Sequence, residues 1–350
     1  MKDISSWLVY EENSRKINKE KIISLKKMRV DILSIELDLR LKKSYLRSLF
    51  DLNKRLEEQG IILMLRFDIM KLTRSLLDSK DDSMAWDNPK LRKAFYSFIN
   101  FLVKRGIRAF DFLSFTKLLS LSKNPAKILN LSRELNKNAR SFNENLITTG
   151  YLEPSNLKLS LYTKANPKGS FTYLYTDRSV MDNFDKLIDL SKKGARISIK
   201  VDSLSKANKL TLRKEKALLT PAYLTRGPII KKSDINKDLR SNIKNNEYIL
   251  DLRAYQKNLI DLKKSFKSLN SGNIYQVFKK EADIISYIRN TKDEKSLIIS
   301  NLSQKEILLN MAMYVANYDS YSIFLSNYPK RRVVDLLLLR AYEVLVLVKS

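Results

Sequence analysis

Few residue types in this sequence can do chemistry. It has 38 Asp and Glu residues but no Cys and no His, which removes the usual zinc ligands, thiol nucleophiles and imidazole bases. Its seven glycines lie too far apart to form the glycine-rich loops that hold phosphates. Carboxylate-only chemistry, as in glycosidases or two-metal nucleases, stays open because it needs only Asp and Glu. No acidic cluster stands out, so we expect no catalytic residues, no cofactor and no metal site.

The chain is strongly basic. Its 66 Lys and Arg residues against 38 Asp and Glu give a formal net charge of +28 over 350 residues. Such a charge repels itself unless a polyanion neutralises it, so nucleic acid is the expected partner. A membrane surface is the other candidate polyanion. The charge is spread along the chain rather than gathered on one amphipathic helix, so we expect no membrane partner.

Residues 1–150 have the pattern of a helical bundle. Apolar residues recur at helical spacing from Asn18 to Gln59, which predicts one long helix or two nearly continuous ones, ended by Gly60. A second helix is predicted over Ile61–Leu77, packed back on the first. Further helices are predicted over Leu91–Lys104, Phe110–Leu121 and Pro125–Leu146. These segments together predict a mostly α-helical N-terminal extension.

Residues 151–217 predict a small α+β segment with a basic linker. Two alternating runs, Leu157–Thr163 and Ser170–Thr176, are joined by a turn sequence typical of a β-hairpin. A helix over Met181–Lys193 and a strand over Arg196–Val201 follow, and residues 203–217 have a helical pattern. The surplus of Lys and Arg from Ser191 to Lys244 is typical of a phosphate-contacting segment or of a solvated face between domains.

Residues 218–350 contain short apolar runs that alternate with helical segments. The runs Tyr248–Leu252, Ile274–Phe278 and Val344–Val348 predict a parallel sheet covered by helices, that is, a reduced Rossmann-like α/β domain. Helices are predicted over Arg253–Asn270 and Gln304–Val315, and a short helical hairpin over Pro329–Ala341.

This C-terminal region resembles the second protein of the bacterial-type small ribosomal subunit. Asn245–Leu252 falls where that family has a strand motif ending in Ile-Ile-Asp-Leu, and its distance back to Leu218 fits without a gap. Gly272–Phe278 resembles the following strand, while Asn317 and Leu325–Asn327 correspond to the family's Asn and Leu-Thr-Asn positions. The family's Gly and His loop is missing, its helical hairpin is shortened, and the closing part of its α/β domain is absent.

Basic side chains near these elements are the candidate phosphate contacts, since Arg can fork onto a phosphate and Lys acts as a mobile charge. The candidate RNA-binding residues are Lys192, Lys193, Arg226, Lys231, Lys232, Lys237, Arg240, Lys244, Lys330, Arg331 and Arg332. For each of them the alternative is an ordinary solvent-exposed side chain.

The resemblance implies a structural part of a ribosome. With the basic charge and a composition that suits an AT-rich genome, it predicts a non-catalytic constituent of the small subunit of a mitochondrial ribosome, in the matrix, with an organelle gene as one option. The expected partners are rRNA and neighbouring ribosomal proteins, without a small-molecule substrate. Two alternatives stay open: a nucleocapsid-like protein that coats viral or mobile-element nucleic acid, and a carboxylate-dependent nuclease or transferase.

Overall fold

The computed structural model describes residues 4, 6–12, 17–77, 89–113, 146–151, 173–176, 181, 184–192, 197–200, 209–232, 247–329 and 331–349.

Eight parallel strands form a nearly closed barrel. They are β1 (Leu8–Glu12), β2 (Ile32–Glu36), β3 (Ile62–Phe67), β4 (Ala109–Phe112), β5 (Ile147–Tyr151), β6 (Tyr173–Thr176), β7 (Ile197–Ile199) and β8 (Ile229–Lys232). Their order in the sheet is β7-β6-β5-β4-β3-β2-β1-β8, and every hydrogen-bonded pair in it is parallel. An all-parallel sheet must be covered on its outer face and filled on its inner face, as in the eight-stranded α/β barrels.

The barrel closes between β7 and β8 without a hydrogen-bonded ladder. These two described strands lie side by side but stand at opposite ends of the paired order. Instead, the Ser198 hydroxyl donates a hydrogen bond to the carbonyl oxygen of Pro228 at 2.6 Å. Gly227 permits this approach, because a Cβ atom there would lie 2.6 Å from the carbonyl carbon of Ile197. We call this junction the seam.

Helices cover the outside of the barrel. They are α1 (Lys19–Lys27), α2 (Lys43–Glu57), α3 (Ile69–Leu77), α4 (Pro89–Lys104), α5 (Phe184–Lys192), α6 (Lys209–Tyr223), α7 (Glu247–Ser265) and α8 (Lys267–Ser271). Asn18 caps α1 by accepting a hydrogen bond from the backbone N–H of Lys21 at 2.9 Å. Gly60 and Gly106 adopt left-handed conformations, with φ of 70° and 91°, which end α2 and α4 so that the chain can enter β3 and β4. Among the described helices, none has both the length and the apolarity needed to cross a bilayer.

Apolar side chains fill both faces of the parallel sheet. The inner face carries Val9, Ile32, Met64, Ala109, Ile147, Tyr173 and Ile230. The alternate residues, such as Leu33, Leu63 and Phe110, belong to the larger cluster beneath the helices. Because both faces are buried, the strands appear in the sequence as nearly continuous apolar runs.

An antiparallel unit follows the barrel. Its strands are β9 (Asn273–Gln276), β10 (Ile284–Asn290), β11 (Lys295–Asn301), β12 (Ile307–Asn310), β13 (Ser322–Ser326), β14 (Leu336–Leu339) and β15 (Val344–Lys349), with a short helix α9 (Met311–Tyr314). Five strands form a sheet in the order β13-β15-β11-β10-β9, and β12 pairs with β14. One hydrophobic cluster joins this unit to the barrel, since it contains Tyr287 and Val346 as well as Tyr223 of α6.

The structure confirms a parallel α/β architecture but places it in a different part of the chain. The predicted mostly α-helical N-terminal extension is wrong, because β1 to β4 run through it. The predicted helix over Asn18–Gln59 is interrupted by β2, since Arg29 takes a left-handed conformation with φ of 57° after α1. Likewise, Ile61–Leu77 divides into β3 and α3. A strand buried on both faces has apolar residues at helical spacing too, which explains the error.

Two of the predicted helices outside the middle segment are confirmed. The helix over Leu91–Lys104 corresponds to α4. The helix over Arg253–Asn270 corresponds to α7 from Arg253 onward and to α8 as far as Asn270. The predicted helix over Phe110–Leu121 begins instead within β4, and its remainder from residue 114 lies outside the described residues. All but the last residue of the predicted helix Pro125–Leu146 also lies outside them.

The middle segment is part of the barrel, not a separate α+β unit. The predicted hairpin is wrong, because β6, within Ser170–Thr176, pairs in parallel with β5 and β7, while Leu157–Thr163 lies outside the described residues. The helix over Met181–Lys193 and the strand over Arg196–Val201 are confirmed as α5 and β7. The parallel strands thus cross the domain boundaries expected at residues 150 and 217.

The predicted Rossmann-like C-terminal domain is wrong. Tyr248–Leu252 lies in α7 rather than in a strand. Ile274–Phe278 and Val344–Val348 do contain strands, β9 and β15, but these pair in an antiparallel sheet. Gln304–Val315 contains β12 and α9, and Pro329–Ala341 contains β14. Short apolar runs do not reveal strand direction, which depends on which segments pair.

Candidate active site

Charged side chains occupy the inside of the barrel at the carboxyl ends of its strands. Glu11 lies on β1, Arg66 on β3, Asp111 on β4 and Tyr175 on β6, and Lys200 directly follows β7. Each strand residue stands two positions after an apolar residue of the inner face, so strand alternation turns it toward the barrel axis. We call these five residues the charged layer. In barrels of this architecture the active site lies at this end.

Glu11 is the acidic centre of the charged layer. Its Oε2 atom lies 2.8 Å from Nη1 of Arg66 and 2.6 Å from Nζ of Lys200. The Glu11 side chain is 2% exposed, so its negative charge is compensated by two cations where little water reaches it. Pairing of this kind is what allows a carboxylate to be buried.

Asp111 behaves differently from Glu11. Burial raises the pKa of the Asp111 carboxyl to about 7, and the nearby negative charge of Glu11 adds to the rise, against smaller lowering effects of Arg66, Tyr175 and Lys200. The Tyr175 hydroxyl donates to Oδ2 of Asp111 at 3.1 Å. The Oδ1 atom of Asp111 is buried and has no hydrogen-bond partner in the part of the chain that the structure describes. Near neutral pH a large fraction of Asp111 therefore carries a proton.

A cavity of about 230 Å³ lies next to the charged layer at the same end of the barrel. Its lining residues are Glu36, Leu37, Leu39, Phe67, Asp68, Lys71 and Leu113. Asp68 follows Arg66 by two positions and Leu113 follows Asp111 by two, so the cavity lies one step beyond the charged layer along β3 and β4. Among the residues that the structure describes, the lining includes none of the charged layer, so the cavity and the layer are neighbours at one end of the barrel.

The charged layer can supply a proton. Asp111 holds a proton near neutral pH, while Glu11 is a carboxylate held by cations. Carboxyl pairs in contrasting environments divide the acid and charge-stabilising roles in enzymes that act on glycosidic bonds. Burial raises the pKa of the Tyr175 hydroxyl well above its ordinary value, helped by the charge of Asp111, so the hydroxyl stays a donor. Within the described ranges, no group of three or more Asp and Glu side chains is arranged to hold a metal ion.

The described members of the predicted RNA-binding set lie on separate elements. Lys192 ends α5 and pairs with Asp189 at 3.1 Å. Arg226 donates to a backbone carbonyl oxygen of α5 at 3.2 Å. Lys231 and Lys232 belong to β8 of the barrel.

The remaining described members lie in the antiparallel unit. Arg331 contacts Oε2 of the fully buried Glu343 at 2.8 Å, so it has a structural partner, whereas Arg332 is exposed. Lys193, Lys237, Arg240, Lys244 and Lys330 lie outside the described residues. Phosphate contact by these residues stays a prediction, without the ribosomal setting that motivated it.

The sequence carried a signal for the site that the prediction of no catalytic residues overlooked. Glu11, Glu36, Asp68 and Asp111 each stand at or just after the end of a short apolar run. In a parallel sheet such ends meet at one edge, so a repeated acid at this position brings carboxylates together. Reading the later three runs as helices placed Glu36, Asp68 and Asp111 on separate predicted helices.

Solved structures share this fold. No family model matches the sequence. The trehalose-6-phosphate hydrolase of Bacillus licheniformis has 12% sequence identity and a TM-score of 0.72, covering 98% of this chain and 99% of that chain. A Family GH13_31 enzyme has 12% identity and a TM-score of 0.73, covering 99% of each chain. A variant of MutB in complex with its substrate sucrose has 12% identity and a TM-score of 0.72, covering 100% of each chain.

These similarities overturn the functional expectation. The fold is that of glycoside-hydrolase barrels, so the predictions of a ribosomal protein and of a nucleocapsid-like protein are wrong. We also expected rRNA as a partner, no small-molecule substrate and no enzymatic activity. These expectations are wrong too, because the matching folds belong to enzymes, one of them seen with sucrose. Net charge constrains partners and solubility but not the fold. The mitochondrial location is tested by none of these findings and stays a prediction.

Proposed function

We propose that this chain is a carbohydrate-active enzyme that cleaves or rearranges a glycosidic bond at the carboxyl end of its barrel. The observation that carries the proposal is Asp111, a buried acid with a pKa of about 7 in the same layer as the paired carboxylate of Glu11. Barrels of this architecture do their chemistry at this end.

Asp111 and Glu11 have different roles in the proposed reaction. Asp111 transfers its proton to the bridging oxygen, and the bond from that oxygen to the sugar carbon breaks with its electron pair going to oxygen. Glu11 holds Arg66 and Lys200 beside Asp111, and its negative charge helps to keep the proton on Asp111. Water or a sugar hydroxyl then attacks the carbon and returns a proton to Asp111. Because two cations share Oε2 of Glu11, we assign Glu11 this positioning role rather than nucleophilic attack.

The proposal is supported by the reactions named for proteins of the same fold. One is a hydrolase of a phosphorylated disaccharide, and another was seen with its substrate sucrose. Hydrolysis and rearrangement share the bond-breaking step and differ in the group that attacks the sugar carbon. The charged layer suits that shared step.

Turnover of simple disaccharides tests the proposal. The purified chain is incubated with sucrose and with trehalose from pH 5 to 9, and the products are separated by chromatography. We expect activity that falls as pH rises through about 7, the pKa of Asp111. Asp111→Asn should lower the rate by about 100-fold or more. Asp51→Asn, an exposed acid on α2, is the matched control. Folded protein without turnover of either sugar, or full activity of Asp111→Asn, would contradict the proposal.

A further inference from the structure

The cavity beside the charged layer has an unequal set of charges. Two carboxylates, Glu36 and Asp68, line it together with one cation, Lys71. Glu36 ends β2 and is exposed, and no hydrogen bond or ion pair joins its side chain to another residue in the described part of the chain. The remaining lining residues are apolar. The cavity therefore carries an excess negative charge over an apolar floor.

The start of α3 does not offset this charge. A helix N-terminus attracts anions such as phosphate through its free backbone N–H groups. Here the Asp68 carboxylate already occupies that position, because its Oδ1 accepts from the backbone N–H of Lys71 at 3.0 Å. A phosphate that approached α3 would meet Asp68 first, and Glu36 lines the same cavity.

From this arrangement we propose that the cavity selects uncharged or amine-bearing sugars and rejects phosphorylated ones, an inference that rests on the proposed function. Carboxylates accept strong hydrogen bonds from hydroxyl and ammonium groups, and the apolar floor suits the carbon face of a sugar ring. A phosphate brings a charge of about −1.5 to −2 near neutral pH. Close to two carboxylates of like sign, that charge weakens binding. The chain then differs in substrate class from the trehalose-6-phosphate hydrolase of the same fold.

Binding measurements test the selection without requiring turnover. Calorimetry on the full chain compares trehalose, trehalose 6-phosphate and glucosamine. We expect trehalose to bind at least about tenfold more tightly than its phosphate, the order of magnitude for one close pair of like charges. Glu36→Gln should reduce this ratio, and Glu36→Lys should reverse it. Asp51→Lys makes the same charge change on the outer surface of α2, so it controls for the general field of a chain with a net charge of +28.

The outcomes separate the two proposals. Equal binding of trehalose and its phosphate, or an equal effect of Glu36→Lys and Asp51→Lys, overturns the selection. Selective binding without turnover supports the selection and contradicts the proposed reaction. Turnover of a sugar without selective binding supports the proposed reaction and contradicts the selection. Absence of binding by all three sugars to the folded chain overturns both.

Discussion

Arg289, on β10 of the antiparallel sheet, donates from Nη1 to the carbonyl oxygen of Leu224, just past the end of α6, at 2.9 Å. Its Nε donates to the carbonyl oxygen of Gly272 at 3.0 Å. Lys263 of α7 donates to the carbonyl oxygens of Tyr223 and Thr225 at 2.7 and 2.8 Å. The last carbonyl groups of a helix have no partner inside it. Two fully buried cations therefore satisfy the end of α6, and one of them belongs to the other unit.

Loss of the Arg289 side chain should destabilise the barrel and the antiparallel unit together. In Arg289→Met the buried carbonyl groups of Leu224 and Gly272 lose their donor, at a cost of roughly 3 kcal/mol or more. Urea unfolding followed by tryptophan fluorescence and by far-UV circular dichroism measures this cost. Arg332→Met removes the same charge at an exposed site and should change the free energy of unfolding by less than about 0.5 kcal/mol. An equal effect of both substitutions would contradict the bridging role.

Asp111→Asn should become more stable than the native chain as pH rises. The folded-state pKa of Asp111 is about 7, above its ordinary value of 3.8, so the folded protein binds more protons than the unfolded chain between these values. Stability is therefore lost as pH rises through this window, by up to roughly 4 kcal/mol once Asp111 is fully ionised. Asn has nearly the same shape as Asp but carries no charge at any of these pH values. The difference in free energy of unfolding between variant and native chain, measured from pH 5 to 9, should grow as pH rises to about 7 and level off above it. A difference independent of pH would count against a buried, protonated Asp111.

Lys200→Met should raise the pKa of Asp111 further. Lys200 is one of the positive charges that lower this pKa, and its removal also leaves Glu11 less compensated. Titration of the Asp111 carboxyl carbon by nuclear magnetic resonance gives the pKa directly, whether or not the protein turns over sugar. Lys257→Met, at an exposed site on α7, should leave the Asp111 titration in place. A fall in this pKa in Lys200→Met would refute the assigned geometry.

Gly227→Ala should open the seam. A Cβ at this position would lie 2.6 and 2.7 Å from the carbonyl carbon and oxygen of Ile197, and backbone atoms cannot move aside as a flexible side chain can. We expect a loss of about 2 kcal/mol or more, with faster amide exchange in β7 and β8 than in β2 and β3. Gly60→Ala is the comparison, because a Cβ there meets only the flexible end of Lys26 at 3.7 Å. Its left-handed backbone should cost only about 1 kcal/mol.

The sequence predicted local structure better than it predicted architecture. α4 could be predicted because Pro89 opens it, Gly106 ends it and its apolar residues keep helical spacing. β2 and β3 could not, because strands buried on both faces lack the two-residue alternation that identifies a half-exposed strand. Once those runs were read as helices, no parallel sheet remained near the N-terminus.

The charged layer was missed for a related reason. Glu11, Arg66 and Asp111 are far apart in the sequence, and only the barrel brings them together. The chain's net positive charge also drew attention to Lys and Arg, while the groups of the proposed site are carboxyls in the barrel interior. The absence of Cys and His had left carboxylate chemistry open, and that part of the sequence argument agrees with the proposed function.

The bond from Arg289 to Leu224 also orders events during synthesis. The ribosome makes the whole barrel, through α6 and β8, before it makes β10. Until Arg289 emerges from the exit tunnel, the Leu224 carbonyl oxygen lacks its native hydrogen-bond donor. We therefore expect a nascent barrel to complete this corner only after β10 of the antiparallel sheet has been translated.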